Sequence, residues 1–237
     1  MKVKLKEIAN KMLDVIFPVD IKCLLCGKEL KNNDIFCSDC LDSDIFNEGT
    51  RCIYCDAMIK EGNLVCNFCR EKHHIFEKCF CPLNYNGSVR KAILSFKEDN
   101  ARYLAKPFAK LIFQRLKQEN LQIDFIVPVP SHISSIKKRG YNPAYLLAEE
   151  VSKITNIPLY EALIKNAKTP NQKFLDYEER YLNIQYTMKV VGNNVKGKSI
   201  LIIDDVITTC ATVDACATLL SNAKHIYACA VARTNLM

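Results

Sequence analysis

The spacing of apolar residues changes several times along the chain, and each change marks an element. Leu5, Ile8, Met12, Val15 and Ile16 fall on one helical stripe that Pro18 ends, which predicts a helix within an N-terminal segment 1–22. From Cys79 onward strand-like and helix-like stretches alternate. CFCPLNYN reads as a strand, Val89–Phe96 as a helix, and Ala101–Gln118 as a second helix burying Leu104, Phe108, Leu111, Ile112 and Leu116. Ile123–Val127 is a short apolar strand. Pro143 then opens a helix with Leu146, Leu147, Val151 and Ile154 on its inner face and Asn142 as its N-cap. Gln185–Val191 and His225–Ala232 read as further strands. Ile200, Leu201, Ile202 and Ile203 are four aliphatics without alternation, the pattern of a strand buried on both faces of a parallel sheet. Strands alternating with helices over residues 79–237 predict an α/β domain with a parallel sheet.

Residues 23–70 follow neither period, and they hold most of the chain's 13 cysteines. Cys23, Cys26, Cys37 and Cys40 recur, each 29 residues later, as Cys52, Cys55, Cys66 and Cys69. Paired CxxC knuckles at this spacing let four thiolates close around one ion, the structural Zn²⁺ pattern, with no open position for catalysis. The filler between knuckles lacks the apolar residues for a core, so metal would supply most of the folding free energy of this double zinc-ribbon module. Two ions are expected. The pairing, successive or interleaved, is left open by the spacing, and an iron–sulfur cluster is the alternative to zinc. His73 and His74 follow the last knuckle and read as polar surface residues, and Cys79 and Cys81 as small packing residues.

Charge and composition add the compartment. The apolar positions near the N-terminus are interrupted by Lys6, Glu7, Lys11 and Asp14, which argues against a signal peptide, and no run reaches membrane-spanning length. A cytoplasmic location is therefore expected, where clustered cysteines bind metal more readily than they form disulfides. The net charge of +7 suits anionic ligands without establishing nucleic-acid binding.

Candidate chemistry lies where the aliphatic strand stops. Asp204 and Asp205 stand at its carboxyl end, where open α/β sheets place their ligand crevice. Thr208, Thr209, Cys210, Ala211 and Thr212 follow as a hydroxyl-rich turn before a helix, and such a turn offers N–H groups and hydroxyls to an anion. Carboxylates for sugar hydroxyls or Mg²⁺ beside donors for a phosphate fit a ribose 5-phosphate. Upstream, the strand ending at Val127 runs into Pro128, Val129, Pro130 and Ser131. The cations Lys137, Lys138 and Arg139 then sit on a predicted loop above the sheet edge. The segment KNAKTPNQKFLDYEERYLN, residues 165–183, is longer than a connection needs to be.

Residues 199–212 resemble the PRPP-binding motif of type I phosphoribosyltransferases. With the CxxC array, VPVPSHISSIKKRGYNPAYLLAEEV and TPNQKFLDYEERYLN, nearly the whole chain resembles the ComF family, the competence protein ComFC and GntX-like group. The resemblance implies a zinc-ribbon module, residues 23–70, followed by a phosphoribosyltransferase-like domain, residues 79–237. It implies that Asp204 and Asp205 hold the ribose of PRPP as the catalytic pair, that Thr208–Thr212 hold its 5-phosphate, and that Mg²⁺ accompanies it. Pro130, Ser131, Lys137, Lys138 and Arg139 would face the pyrophosphate or DNA. Thr169, Gln172, Arg180 and Asn183 match family residues in the polar segment. Two positions depart from the family: Pro143 replaces a Gln, and Cys210 replaces a Gly, at a cost of about 1–2 kcal/mol if the backbone there is left-handed. The implied role is DNA uptake in genetic competence, with single-stranded DNA and uptake machinery as partners. The alternatives are phosphoribosyl transfer to an unidentified acceptor, or a zinc-dependent scaffold whose PRPP site has decayed.

Overall fold

The computed structural model describes residues 22–30, 35–41, 45–47, 49–167, 177–192 and 194–234. The helix expected within residues 1–22 lies outside them, apart from Lys22. The chain divides into two compact units, residues 1–44 and 45–237. This division runs between the two cysteine units, and the second unit clusters with the α/β fold.

The 29-residue repeat is present down to single hydrogen bonds. Cys23 N–H donates to Lys28 O at 2.7 Å, and Cys52 N–H to Ala57 O at 2.9 Å. Leu24 N–H donates to Ile35 O, and Ile53 N–H to Leu64 O. Antiparallel bridges pair Lys22 with Glu29 and Arg51 with Met58. Each unit ends in a short helix, α1 (Ser38–Leu41) and α2 (Asn67–Glu71), that starts just after the third cysteine and carries the fourth.

Residues beyond these form the α/β fold. Strands β1 (Lys78–Phe80) and β2 (Leu83–Asn84) both pair with β7 (His225–Arg233). β7 pairs with β6 (Ser199–Ile207), and β6 with β3 (Phe125–Pro128), every pairing parallel. Ile200, Leu201, Ile202 and Ile203 are fully buried, as an unalternating run demands. Helices α3 (Gly87–Glu98), α4 (Ala105–Glu119), α5 (Ile133–Arg139) and α6 (Pro143–Thr155) precede the second half of the fold. The Asn142 carboxamide caps α6 by accepting from Ala144 N–H at 3.1 Å. Among the described residues, no helix is long and apolar enough to cross a membrane.

Three expectations are corrected. Lys137, Lys138 and Arg139 occupy the last turn of α5, not a loop: His132 caps its start, and Gly140, at φ 83°, closes its end. The end of the long polar segment, from residue 177, and the four residues after it form helix α7 (Tyr177–Thr187), because Tyr177, Tyr181 and Ile184 recur at helical spacing against the helix that follows β6. Of the strand expected over 185–191, only β5 (Met188–Val190) remains, paired antiparallel with β4 (Leu163–Lys165).

Candidate functional site

β6 carries its aliphatic run straight into Asp204 and Asp205, ends at Ile207, and bends through residues 208–210 into helix α8 (Ala211–Leu219). Cys210 makes that bend at φ 67° and ψ −4°, in the left-handed region. A glycine would take this conformation without strain, so Cys210 bears the cost its substitution implied. The turn lines a cavity of about 20 Å³ with Asp204, Thr208, Cys210, Ala211 and Thr212, room for a water-sized group such as one phosphate oxygen. The Thr209 hydroxyl is buried without a hydrogen-bond partner. The first amides of α8 lack intrahelical acceptors, as at any helix start, and Ala211, Thr212 and Val213 at that start line the cavity.

Two lysines complete the electrostatics. Lys97, on α3, is 2.7 Å from an Asp205 carboxylate oxygen, with both side chains largely buried. Desolvation, then the neighbouring Asp205, push the Asp204 carboxyl up to about 7, against the pull of Lys97. Burial pulls the Lys165 ammonium on β4 below its ordinary value, while Asp204 is among the acids that hold it up. Lys165 also lines a separate cavity of about 400 Å³ with Pro130, Ser131, Asn142, Tyr145 and Glu161. Pro130 and Ser131 therefore open on this second cavity, where Ser131 Oγ donates to Asn142 Oδ1 at 2.9 Å. Lys137 and Lys138 are exposed on α5. Thr169 and Gln172 lie outside the described residues, as do the side chains of Arg180 and Asn183.

The cysteines form two clusters, Cys23, Cys26, Cys37 and Cys40 in one and Cys52, Cys55, Cys66 and Cys69 in the other, each with ligand atoms within 4.8 Å of one another. The pairing is thus successive, not interleaved. Cys26 and Cys37 sulfurs lie 3.6 Å apart, as do those of Cys55 and Cys66. Four thiolates at about 2.3 Å from a tetrahedral Zn²⁺ stand about 3.8 Å from each other, so both clusters fit a metal ion such as zinc.

The second cluster reaches the turn after β6 directly. Arg233, 1% exposed at the end of β7, donates from Nη2 to Cys55 Sγ at 3.4 Å and from Nη1 to Cys210 Sγ at 3.3 Å. His74 corrects the surface reading: its side chain is 2% exposed. Its Nε2 lies 3.2 Å from Cys69 Sγ and its Nδ1 2.7 Å from Asp214 Oδ2. Burial alone would lower His74, but the bond to Asp214 prevails and lifts it to about 9. His73 is exposed, as expected, and Cys79 and Cys81 are buried packing residues.

No family model matches the chain. Over 137 residues it is 30% identical to competence protein F of Haemophilus influenzae, covering 54% of this chain and 59% of that protein. The chain resembles a competence protein. It spans less than two thirds of that relative's length. Among solved structures it is similar to glutamine phosphoribosylpyrophosphate amidotransferase from B. subtilis, solved with ADP and GMP. That likeness has 22% identity over 53% of this chain and 26% of that one, with a TM-score of 0.35.

Sequence reading missed Lys97, Lys165, His74 and Arg233. None belongs to a local motif: each meets its partner through a contact of long sequence separation, and only His74, just past a knuckle, carried a nearby signal.

Proposed function

We propose that this chain is a cytoplasmic protein of DNA uptake in genetic competence and natural transformation, and that it binds PRPP with Mg²⁺ at the turn after β6. The ligand reading is carried by the small cavity that Asp204, Thr208 and Thr212 line at the start of α8. The Thr209 hydroxyl, buried without a partner in the same turn, costs about 1–3 kcal/mol for want of an acceptor. Thr208–Thr212 would hold the 5-phosphate and the two carboxylates the ribose hydroxyls. Mg²⁺, when bound, would neutralise pyrophosphate charge while leaning on ligand oxygens and water. Lys97 keeps the acid pair from repelling the ligand. The competence role is supported by the 30% identity to competence protein F. Lys137, Lys138 and Arg139, in the last turn of α5, suit phosphates of pyrophosphate or single-stranded DNA.

A second reading, phosphoribosyl transfer, is favoured by the 400 Å³ cavity that Lys165 shares with the acid pair's surroundings, a volume suited to an acceptor. In that reaction the C1–oxygen bond to pyrophosphate breaks and C1 bonds to the acceptor. Asp204 and Asp205 would stabilise the oxocarbenium-like ribose.

Calorimetry with PRPP and Mg²⁺ tests the common element. Micromolar binding by the wild type, lost when Asp204→Asn and Asp205→Asn are combined, is expected. A wild type that gives no binding rejects the PRPP reading. Pyrophosphate release across an acceptor panel then separates transfer from binding alone, and transformation frequency in a deletion strain tests the competence role.

A further inference from the structure

The turn after β6 and the second Cys₄ centre are joined by two separate ties. Arg233 donates to Cys55 and Cys210 at once, linking a metal-ligating sulfur to the strained residue that begins α8. His74 links Cys69 to Asp214, one turn further along the same helix. Asp214, 1% exposed, also accepts from Ile75 N–H at 3.1 Å and from Tyr177 OH at 2.8 Å. At the other end of the turn, Thr234 N–H donates to Ile207 O at 3.0 Å, so the residue after Arg233 pins the end of β6.

These ties have a charge logic. A Zn²⁺ ion with four thiolates carries a net charge of about −2, and the buried Arg233 guanidinium donating to Cys55 offsets part of that charge. Arg233 is buried where few other acceptors exist: its Nε has no partner. Without an ion the four sulfurs have no common centre to hold them, and Arg233 loses a fixed acceptor while Cys210 loses a fixed donor. The first turn of α8 would then keep its left-handed strain without the contacts that offset it.

We propose that the second Cys₄ centre is the mount of the anion-binding turn. Metal bound at Cys52, Cys55, Cys66 and Cys69 orders residues 207–214 and raises their affinity for an anion, with Arg233 and His74 as positioning residues. The metal and the anion are therefore linked, each tightening the other by the same factor. The proposal rests on the PRPP reading only for the identity of that anion.

The test uses the zinc-loaded full chain and amide hydrogen exchange without ligand. Arg233→Lys keeps the charge but not the two-pronged reach. It should retain zinc at both centres and the protection of residues 200–203, while residues 207–214 exchange at least tenfold faster. Zinc release from the second centre to a chelator should also quicken. His74→Gln serves as the independent variant should Arg233→Lys not fold. Unchanged exchange in 207–214, or an equal loss of protection in 200–203, overturns the proposal. Adding PRPP or inorganic pyrophosphate to the wild type should slow zinc release. If PRPP fails to bind while the exchange result holds, the PRPP reading falls and the mount stands.

Discussion

The two cysteine units share one backbone and differ in what surrounds it. Gly27 and Asp56 occupy the same place after their knuckles, both with positive φ, 73° and 59°. Gly27 takes that conformation freely, and a Cβ added to it would meet nothing within 4 Å. Asp56 bears the strain and uses its side chain: 3% exposed, it accepts from Cys81 N–H at 2.7 Å and Asn47 Nδ2 at 2.8 Å. Cys26 is exposed in the first unit, whereas its counterpart Cys55 is fully buried beneath Arg233. The repeat specifies the metal centre. The neighbours specify its use, one centre closing its own small unit and the other built into the α/β fold.

The most forceful way to break this comparison is to remove each ion in turn. Structural zinc is worth roughly 10–16 kcal/mol in isolated fingers, as much as the whole stability of a domain. Cys66→Ser with Cys69→Ser should abolish the cooperative transition of residues 45–237 in scanning calorimetry. Cys23→Ser with Cys26→Ser should shift it by under about 3 °C, with zinc content reduced to one ion. Equal damage from both pairs would erase the distinction.

A finer cut exchanges the residues after the knuckles. Asp56→Gly relieves about 1 kcal/mol of left-handed strain but loses two buried hydrogen bonds and a contact with Arg115 at 3.5 Å. A net loss of about 2 kcal/mol is expected from denaturant unfolding. Gly27→Asp, gaining strain without partners, should cost about 1–2 kcal/mol and leave residues 45–237 untouched.

How much of this was legible in the sequence follows from the range of each interaction. The CxxC array, the aliphatic strand with its two acids and the helix stripes around residues 89–96, 104–116 and 146–154 are local patterns, and they appear where spacing put them. The pairing of the knuckles was left open by spacing, because both arrangements use the same residues. Polar side chains that act at a distance were illegible: Lys97 and Asp205 stand 108 positions apart, Cys55 and Arg233 178. The helix α7 was hidden because its apolar face is narrow and aromatic, legible only once α8 lies beside it. Cys210, singled out as a position where a side chain is strained if the backbone is left-handed, does take φ 67°.

The pH response sharpens the comparison further. Asp204 titrates near 3.8 in an unfolded chain and at about 7 here, so the folded state favours its proton. The stability it contributes is fully present below about pH 4 and is lost as pH rises through 7. Ligand binding has the opposite sign, since a Mg²⁺-bearing anion needs the carboxylate ionised. PRPP affinity should fall roughly tenfold from pH 8 to pH 6, with proton release seen in buffers of different ionisation enthalpy. The chain with Cys23→Ser and Cys26→Ser should keep this profile, because the first centre has no part in it.

The smallest effect separates strain from contact at Cys210 itself. Cys210→Gly removes the left-handed penalty of about 1–2 kcal/mol and also the sulfur that accepts from Arg233 and packs at 3% exposure. These offset, and the melting temperature should stay within about 2 °C. Cys210→Ala keeps the strain and loses the sulfur, so it should be destabilised by about 1–2 kcal/mol. The difference between the two variants measures the strain alone. If both destabilise equally, the left-handed turn costs nothing, and the cysteine is held there by the second metal centre for its sulfur rather than in spite of its backbone.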